Sequence, residues 1–592
     1  MRTTTRHQLG LAAVAAVMFF TNLGGPRLWD EDEPKNAECA REMLVNGDYI
    51  LPRYNELPRF DKPVLLYWLL VGAYRVFGVT EFAARFWSAT FGVGTVLCTY
   101  HLGRIMFRPE TGWWAGLVLT ASLLFGVAAR GATPDSTLIF FSTLGLLCYV
   151  AACVRNENMT ASTRPGLPSS VAMYAALSLA VLAKGPVGVV LPGLVIALFV
   201  WCHAPTSAIS VDGTARWWLR IGVWARCRLH PVHVWQSIHS LRPLVALVML
   251  SAIALPWYVA VGIQTRGEWL EMFLGRHNLE RFTSTLDGHR GPIVFHLLAV
   301  FGGFFPWSIL LPQAVRETVR RLRDGNSFSR GDLFLACWVI AYVGFFSLAG
   351  TKLPNYITPC YPALALLTAR MIEGYLAQPG LLGRLSWRVA LGSLAVVGVS
   401  LIIGLPIAAL TILPGEAWLG VVGCVPIAGA WLAWTFSQQG NLHRALQSLA
   451  ATALAISLAL FGWVLPRVDR HQTSENIVAA IRDRDQSPET PFQLMTYRFS
   501  QPSLIFYAQR RIHNWGEATK VEEFFRQFPN DAYVITRSEN LPELQPILPA
   551  DVVVLERRPQ FLRRNREVVL LGRRMELAGP QSITGRPAVT RQ

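Results

Sequence analysis

Long apolar segments recur along most of this 592-residue chain and constrain its fold more than any other feature. Hydrophobic residues make up 52% of the sequence, and a helix that crosses a membrane needs roughly 20 mainly apolar residues. This pattern predicts a polytopic α-helical membrane protein of about thirteen spans. The predicted spans are centred on residues 9–25, 83–103, 112–130, 136–154, 170–183, 186–202, 243–262, 292–312, 333–349, 357–375, 389–412, 417–436 and 445–465.

The charged residues predict how these spans are oriented. The net charge is +16, but the arginines lie in small groups beside apolar runs, as in loops that face an anionic inner leaflet. We therefore do not expect nucleic-acid binding. Residues 63–78 are apolar but short and follow a proline, so we interpret them as an interfacial helix. Counting them as a span would move the later arginine-rich loops outside, against the positive-inside rule.

This topology predicts a cytoplasmic N-terminus and a retained first helix, because residues 9–25 lack a small-residue cleavage site. The outer face then carries loops 26–81, 264–290 and 350–356 and the short stretches 132–135 and 184–186, and the transmembrane domain covers residues 1–465. Residues 466–592 alternate short strand-like runs, such as 532–536 and 568–571, with helical stretches. We expect them to form a soluble extracytoplasmic α/β domain.

Lysine is scarce, and four of the five lysines lie in the predicted outer loops: Lys35, Lys62, Lys184 and Lys352. The positive-inside rule does not favour positive charge there. An ammonium group is a compact point charge that suits phosphate binding. The alternatives are a snorkelling side chain for Lys62, a tight turn at Lys184 and a helix-end anchor for Lys352.

Four adjacent acids, residues 30–33, begin the first outer loop. One reading is helix capping, because Pro34 suits a first helical turn and Asn46-Gly47 would end the helix. One cap needs only one acid, however, so the others are candidates for chemistry. Asp135, after a proline, has the same two readings, N-cap or functional acid.

Several strings resemble the polyprenyl-phosphate-sugar glycosyltransferases typified by the lipid A aminoarabinose transferase and related to the protein O-mannosyltransferases. The strings, in order, are DEPKNAE at 32–38, FDKP at 60–63, RGATPD at 130–135, LAKGP at 182–186, HNLERF at 277–282 and TKLPNYITP at 351–359. They extend over about the first 370 residues. The resemblance implies the helical membrane architecture known as GT-C.

The resemblance also implies roles for individual residues. Asp32 corresponds to the general base or acceptor-positioning acid, and Asp135 to a second acid of the cavity. The residues implied to contact the donor phosphate are Lys62, Arg281, Lys35, Tyr356 and Lys352. Further candidates for substrate binding are Glu33, Asp61 and Lys184.

Two departures from the family pattern affect this assignment. Lys35-Asn36 stands where the family often has Arg-Tyr, and Asp61 stands where it often has Glu. Lysine lacks the bidentate geometry of arginine, so the role of Lys35 and the sugar specificity do not carry over directly. A divalent metal, if one binds, would be sought at Asp61 and His277, although a loop histidine without a spacing motif is more often a polar loop residue.

We therefore predict an inverting glycosyltransferase of a bacterial cytoplasmic membrane. It moves a sugar from a polyprenyl-phosphate carrier to an outer-face acceptor, a glycolipid resembling lipid A or, alternatively, a protein. A lipid-linked sugar flippase or transporter is the alternative from another class. Such a protein would place ionisable residues at mid-span, whereas here the acids cluster at one face.

Overall fold

The structure is a computed structural model that describes residues 2–29, 31–154, 163–203, 235, 238–285, 288, 290–323, 329–381, 383–484 and 492–574. The chain divides into two compact units, Met1–Arg470 and His471–Gln592. The predicted boundary at residues 465 and 466 falls at the start of the last short helix of the first unit, Leu465–Asp469.

The first unit is helical. Its α-helices are α1 (Arg2–Phe20), α2 (Asp32–Asn46), α3 (Leu65–Phe77), α4 (Glu81–Met106), α5 (Pro109–Thr120), α6 (Leu123–Arg130), α7 (Pro134–Cys153), α8 (Leu167–Lys184), α9 (Val187–His203), α10 (Pro243–Ile253), α11 (Leu255–Gln264), α12 (Glu268–Leu270), α13 (Arg281–Thr283), α14 (Phe295–Gly303), α15 (Leu311–Arg323), α16 (Arg330–Leu348), α17 (Tyr361–Ala377), α18 (Arg384–Ile412), α19 (Cys424–Gln438), α20 (Leu442–Ala459) and α21 (Leu465–Asp469). Short 3-10 helices cover Trp307–Leu310, Pro354–Cys360, Pro379–Leu381 and Ala417–Gly423, and π-helices cover Glu271–Glu280 and Leu460–Val464. A two-residue hairpin, β1 (Arg53–Tyr54) and β2 (Leu57–Pro58), lies between α2 and α3.

Many of these helices are apolar and long enough to cross a membrane. Among the described residues, six qualify singly, and nine spans result if each of three bent helix pairs counts as one. The thirteen predicted spans all fall on helices or on consecutive helices of the structure. The number that actually crosses the membrane stays a prediction, and the predicted arginine-rich loop from Arg216 to Arg242 lies mostly outside the described residues.

Local sequence explains the helices around the first loop. Helix α2 begins at Asp32 with Pro34 in its first turn and ends before Gly47, whose φ of 69° is a left-handed conformation that favours glycine. Helix α3 covers most of the segment predicted to be interfacial, and it packs on α2, where the Tyr74 hydroxyl donates to the Ala37 carbonyl at 3.2 Å. These two helices give the first loop a rigid framework.

The second unit is a small α/β domain. Its sheet has the strand order β4-β3-β5-β7-β6, formed by β3 (Gln493–Tyr497), β4 (Ile512–Trp515), β5 (Ala532–Arg537), β6 (Val552–Pro559) and β7 (Glu567–Arg573). Strand β3 runs parallel to β4 and β5, and β7 is antiparallel to β5 and β6. The helices are α22 (Ser474–Arg484), α23 (Pro502–Ala508), α24 (Ala518–Gln527) and α25 (Leu541–Leu544), with a 3-10 turn at Ser538–Asn540.

Candidate active site

Both predicted catalytic carboxylates line one cavity of about 420 Å³. Asp32 reaches it from the first turn of α2, and Asp135 from the first turn of α7. Asn355, in the 3-10 helix before α17, also lines it. The other polar lining residues are Glu31, Glu33, Arg85, Arg130 and Thr133. Three sequence-distant segments therefore bring two acids and an amide to one cavity.

Lys62 lies at the same site, between charges of both signs. Burial lowers the pKa of its ammonium, and the nearby Lys184 and Arg59 act in the same direction. The carboxylates of Asp61 and Asp32 oppose this shift, but the net direction is downward. No hydrogen bond or ion pair joins the Lys62 side chain to another residue in the described part of the chain. Its ammonium is therefore a half-buried cation whose pKa responds to the Asp32 carboxylate.

Asp61, the residue before Lys62, has a fixed orientation. Arg59 donates to its two carboxylate oxygens, at 2.5 and 3.0 Å. Burial raises the pKa of Asp61, but Arg59 and Lys62 outweigh it and hold this pKa well below the usual range. The Arg59 carbonyl in turn accepts from the Trp269 indole N–H at 2.9 Å, and Trp269 stacks on Phe273 with ring centres 4.7 Å apart. This aromatic pair anchors the loop segment that carries Lys62.

A second group of polar residues is organised around Asp135. The Lys184 ammonium donates to one Asp135 oxygen, and the Asn355 amide donates to the other at 3.1 Å. The Thr133 hydroxyl adds a hydrogen bond at 3.2 Å. Lys184 also lies 5.6 Å from the centre of the Tyr356 ring. The turn expected after Lys184 is present, since Gly185 has a φ of 86°, and the lysine side chain points back to Asp135.

Glu33 is buried and fully engaged in ion pairing and hydrogen bonding. Arg85 donates to both of its oxygens, at 2.8 Å each, and the backbone amides of Trp29 and Ala132 donate at 2.9 and 2.8 Å. Burial raises the pKa of Glu33, but Arg85 and these amides hold it below the usual value. Glu33 therefore fastens the start of α2 to α4 and to the turn before α7, next to Asp32.

Two of the other lysines predicted to contact the donor phosphate have protein partners instead. Lys35 pairs with Glu31 at 3.0 Å, an exposed contact one helical turn away. The Lys352 ammonium donates to the carbonyls of Phe346 and Ser347, at 3.1 and 2.6 Å, and so caps the C-terminal end of α16. This geometry agrees with the helix-end alternative and leaves its predicted phosphate contact untested.

Arg281 and His277 belong to the segment that follows α12. The Thr351 amide donates to the Arg281 carbonyl at 3.2 Å, which joins this segment to the loop before Tyr356. Burial lowers the pKa of His277, whereas the nearby Asp61 carboxylate opposes that shift. His277 and Asp61 are thus neighbours, but Arg59 occupies both Asp61 oxygens, and the described residues hold no group of three or more potential metal ligands. We assign no metal role to the pair.

Three residues of the site had no assigned role from sequence. Asn355 lies inside a string that resembles the family and Arg59 directly precedes one, but the sequence does not show the partners of either residue. Arg85 carries a different signal, because it is a charged residue inside the predicted apolar span 83–103, and such residues are usually paired and functional. Its five acceptors come from Glu33 and from the carbonyls of Leu23, Pro26 and Arg27.

The helical membrane unit and the acidic cavity with its lysines agree with the GT-C glycosyltransferase architecture that the sequence motifs resemble, and the comparisons with known proteins point to the same class. Residues 9–270 match the family described as dolichyl-phosphate-mannose-protein mannosyltransferase. The chain is also similar to the crystal structure of ArnT from Cupriavidus metallidurans bound to undecaprenyl phosphate. That similarity has a TM-score of 0.73 and 26% identity and covers 95% of this chain and 97% of the other.

Curated relatives are similar over part of the chain. An undecaprenyl phosphate-alpha-4-amino-4-deoxy-L-arabinose arabinosyl transferase from Edwardsiella ictaluri (strain 93-146) is 28% identical over 393 residues, 65% of this chain and 64% of the relative. An uncharacterized protein from Aquifex aeolicus (strain VF5) is 29% identical over 60% of this chain and 62% of its own length. The chain thus aligns with somewhat less than two thirds of these relatives.

Proposed function

We propose that this protein transfers a sugar from a polyprenyl-phosphate carrier to a glycolipid acceptor of the lipid A kind, with inversion at the anomeric carbon. One observation carries the proposal: Asp32 and Asp135 line one cavity, and the half-buried Lys62 is close enough to Asp32 for that carboxylate to act on the pKa of its ammonium. The relatives named for transfer from undecaprenyl phosphate support the choice of donor, and their named sugar supports an aminoarabinose-like group.

Lys62 is placed to stabilise the negative charge of the phosphate leaving group. When the sugar departs, the anomeric carbon gains positive charge and the lipid phosphate gains negative charge. A charge-assisted hydrogen bond to that phosphate contributes on the order of 1.5 to 3 kcal/mol. Since no described residue bonds the Lys62 ammonium, its N–H groups can all be directed to phosphate oxygens. Arg281 is the second cation we assign to the phosphate.

Asp32 is placed to act as the general base, and Asp135 is placed to position neighbouring side chains. Asp32 is exposed and lines the cavity, and no described residue donates a hydrogen bond to its side chain. Asp135 accepts from Lys184, Asn355 and Thr133, so its oxygens are already engaged. We infer that Asp32 takes the proton of the attacking hydroxyl while Asp135 orients Lys184 and Asn355 toward the substrates. The phosphate is an adequate leaving group, so no protein acid is required.

The test uses the purified full chain with a polyprenyl-phosphate sugar and a lipid A acceptor. Free polyprenyl phosphate should be released only when the acceptor is present, and Asp32→Asn should abolish release. Glu110→Gln, which removes an exposed carboxylate at the start of α5, is the matched control and should retain activity. Unchanged turnover in Asp32→Asn would contradict the assignment of Asp32 as the base. Transfer of the sugar to a protein instead of the glycolipid would contradict the proposed acceptor.

We further propose that the N-terminus is cytoplasmic and that the site and the second domain, residues 466–592, face outward. The arginine distribution supports this orientation. A membrane-impermeant maleimide should label a cysteine placed at Glu523, in the second domain, in intact spheroplasts. It should not label one placed at Arg320 in α15. Reversed labelling, measured against the unmodified chain, would overturn the orientation.

A further inference from the structure

The second unit presents a basic loop that contributes no residue to the candidate active-site cavity. Strands β6 and β7 are joined by residues 560–566, and the loop is closed by the Gln560 amide, which donates to the Arg566 carbonyl at 2.8 Å. Ten residues hold five arginines and no acid: Arg557, Arg558, Arg563, Arg564 and Arg566. All five are exposed. The hairpin end therefore carries a dense positive charge.

The arginines differ in how they are compensated. Those at the strand ends have acidic neighbours: Arg558 contacts Glu556 at 2.6 Å, and Arg557 contacts Glu567 at 3.7 Å. Arg563 and Arg564, at the tip, have no ion pair with any residue that the structure describes. Exposed ion pairs are weak, so even the paired arginines can bind other anions.

An apolar residue precedes these two arginines. Leu562 is 42% exposed and has a φ of 53°, in the left-handed region that glycine and asparagine adopt more readily than leucine. Neither the backbone nor core packing accounts for a leucine at this position. An exposed apolar side chain beside cations is, however, the pattern of residues that enter a membrane interface.

The base of the loop is attached to the start of the second unit. Thr473 donates to the Pro559 carbonyl at 2.9 Å, and its hydroxyl oxygen accepts from the Phe561 amide at 3.1 Å. Thr473 follows Asp469, the last residue of α21, by four residues, a length of chain that spans at most about 15 Å. The base of the loop is therefore close along the chain to the last helix of the first unit.

We propose that loop 560–566 docks on an anionic phospholipid surface, with Arg563 and Arg564 bound to lipid phosphates and Leu562 inserted among the headgroups. The positive charge of the loop tip is complementary to the negative charge of that surface. The exposed leucine favours a lipid partner over a soluble polyanion, because a soluble polyanion offers no apolar region for it to enter. The proposal does not depend on the transferase reaction or on the identity of its substrates.

Hydrogen exchange of the full chain tests the proposal. The chain is placed in nanodiscs of phosphatidylcholine alone or with 30% phosphatidylglycerol, and exchange is followed in loop peptides and in β7. The loop amides should be protected only with phosphatidylglycerol, and 0.5 M NaCl should remove that protection. Because each arginine near an anionic surface contributes about fivefold in affinity, Arg563→Gln with Arg564→Gln should lower the protection on the order of thirtyfold.

A matched control removes the same charge elsewhere in the unit. Arg511→Gln with Arg526→Gln should leave the protection of the loop unchanged, and β7 should exchange alike in every variant. Equal loop protection in both kinds of nanodisc, or an equal loss in the control, would overturn the proposal. So would equal protection in detergent with soluble polyphosphate, because the partner would then be a polyanion rather than a lipid surface.

Leu562→Asn separates insertion from loop structure. Asparagine accepts the left-handed backbone more easily, so a purely structural role predicts unchanged or greater protection. Insertion of the leucine predicts a severalfold loss in phosphatidylglycerol nanodiscs. Unchanged protection would remove the leucine from the docking surface.

Discussion

Arg85 in α4 donates to both carboxylate oxygens of Glu33 at 2.8 Å, and Glu33 is the residue directly after Asp32. The pair is buried, and Arg85 also donates to three backbone carbonyls of the segment that precedes α2. The position of Asp32 therefore depends on a guanidinium 53 residues away in the sequence.

Breaking this pair should destabilise the protein strongly. Glu33→Ala leaves the Arg85 charge buried without its carboxylate, which costs about 3 to 5 kcal/mol. The midpoint of thermal unfolding in detergent measures the loss. Glu543→Ala is the comparison, because the Arg498–Glu543 pair of the second unit is about half exposed and contributes about 1 kcal/mol or less. Equal losses in the two variants would contradict the structural role of Glu33.

Trp269 should act on donor binding through Arg59. Trp269→Phe keeps an aromatic ring on Phe273 but removes the indole donor to the Arg59 carbonyl. A lost hydrogen bond of about 1 kcal/mol that orients the Lys62 loop should raise the donor KM about fivefold, with a smaller change in kcat. Steady-state kinetics with varied donor measure this.

Trp257→Phe is the matched control for that variant. It removes an indole donor to the Ile50 carbonyl, at 3.0 Å, from the same aromatic cluster. It should change the donor KM less, because Ile50 lies farther from Lys62 along the loop. A larger effect of Trp257→Phe on the donor KM would contradict a specific role of the Trp269–Arg59 hydrogen bond and would assign the effect to the aromatic cluster as a whole.

Glu38 should make stability fall as the pH rises through the weakly acidic range. Burial raises its pKa to about 7, although Arg41 opposes the shift. The folded state then binds more protons than the unfolded state between about pH 4.5 and 7, so the free energy of unfolding decreases over that window, by on the order of 3 kcal/mol. Glu38→Gln should flatten this part of the profile relative to the parent chain. A parallel profile in the variant would exclude Glu38 as its source.

Much of the fold and part of the site could be predicted from the sequence. Apolar runs located the helices because hydropathy is a local property, and the acids and lysines stood out because they interrupt those runs. Partnerships could not be predicted, because they depend on packing between distant segments. The Asn355 amide meets Asp135 across 220 residues, and the Arg27 amide meets Asp469 across 442.

The lysines show the same limit. The four loop lysines share one sequence signal, a cation in a predicted outer loop, but the structure gives Lys184 a buried carboxylate, Lys352 the end of a helix and Lys35 an exposed glutamate. Lys62 differs because its neighbours surround it without a direct bond in the described residues. Only three-dimensional contacts separate these four environments.

Binding of polyprenyl phosphate, measured alongside sugar transfer, tests the central assignment most directly. Lys62→Ala should weaken binding of polyprenyl phosphate to the full chain by about ten- to a hundredfold, as expected for a lost charge-assisted hydrogen bond. Asp32→Asn should bind it within about twofold of the parent chain while transfer is abolished. Unchanged binding in Lys62→Ala, or normal transfer in Asp32→Asn, would contradict the account.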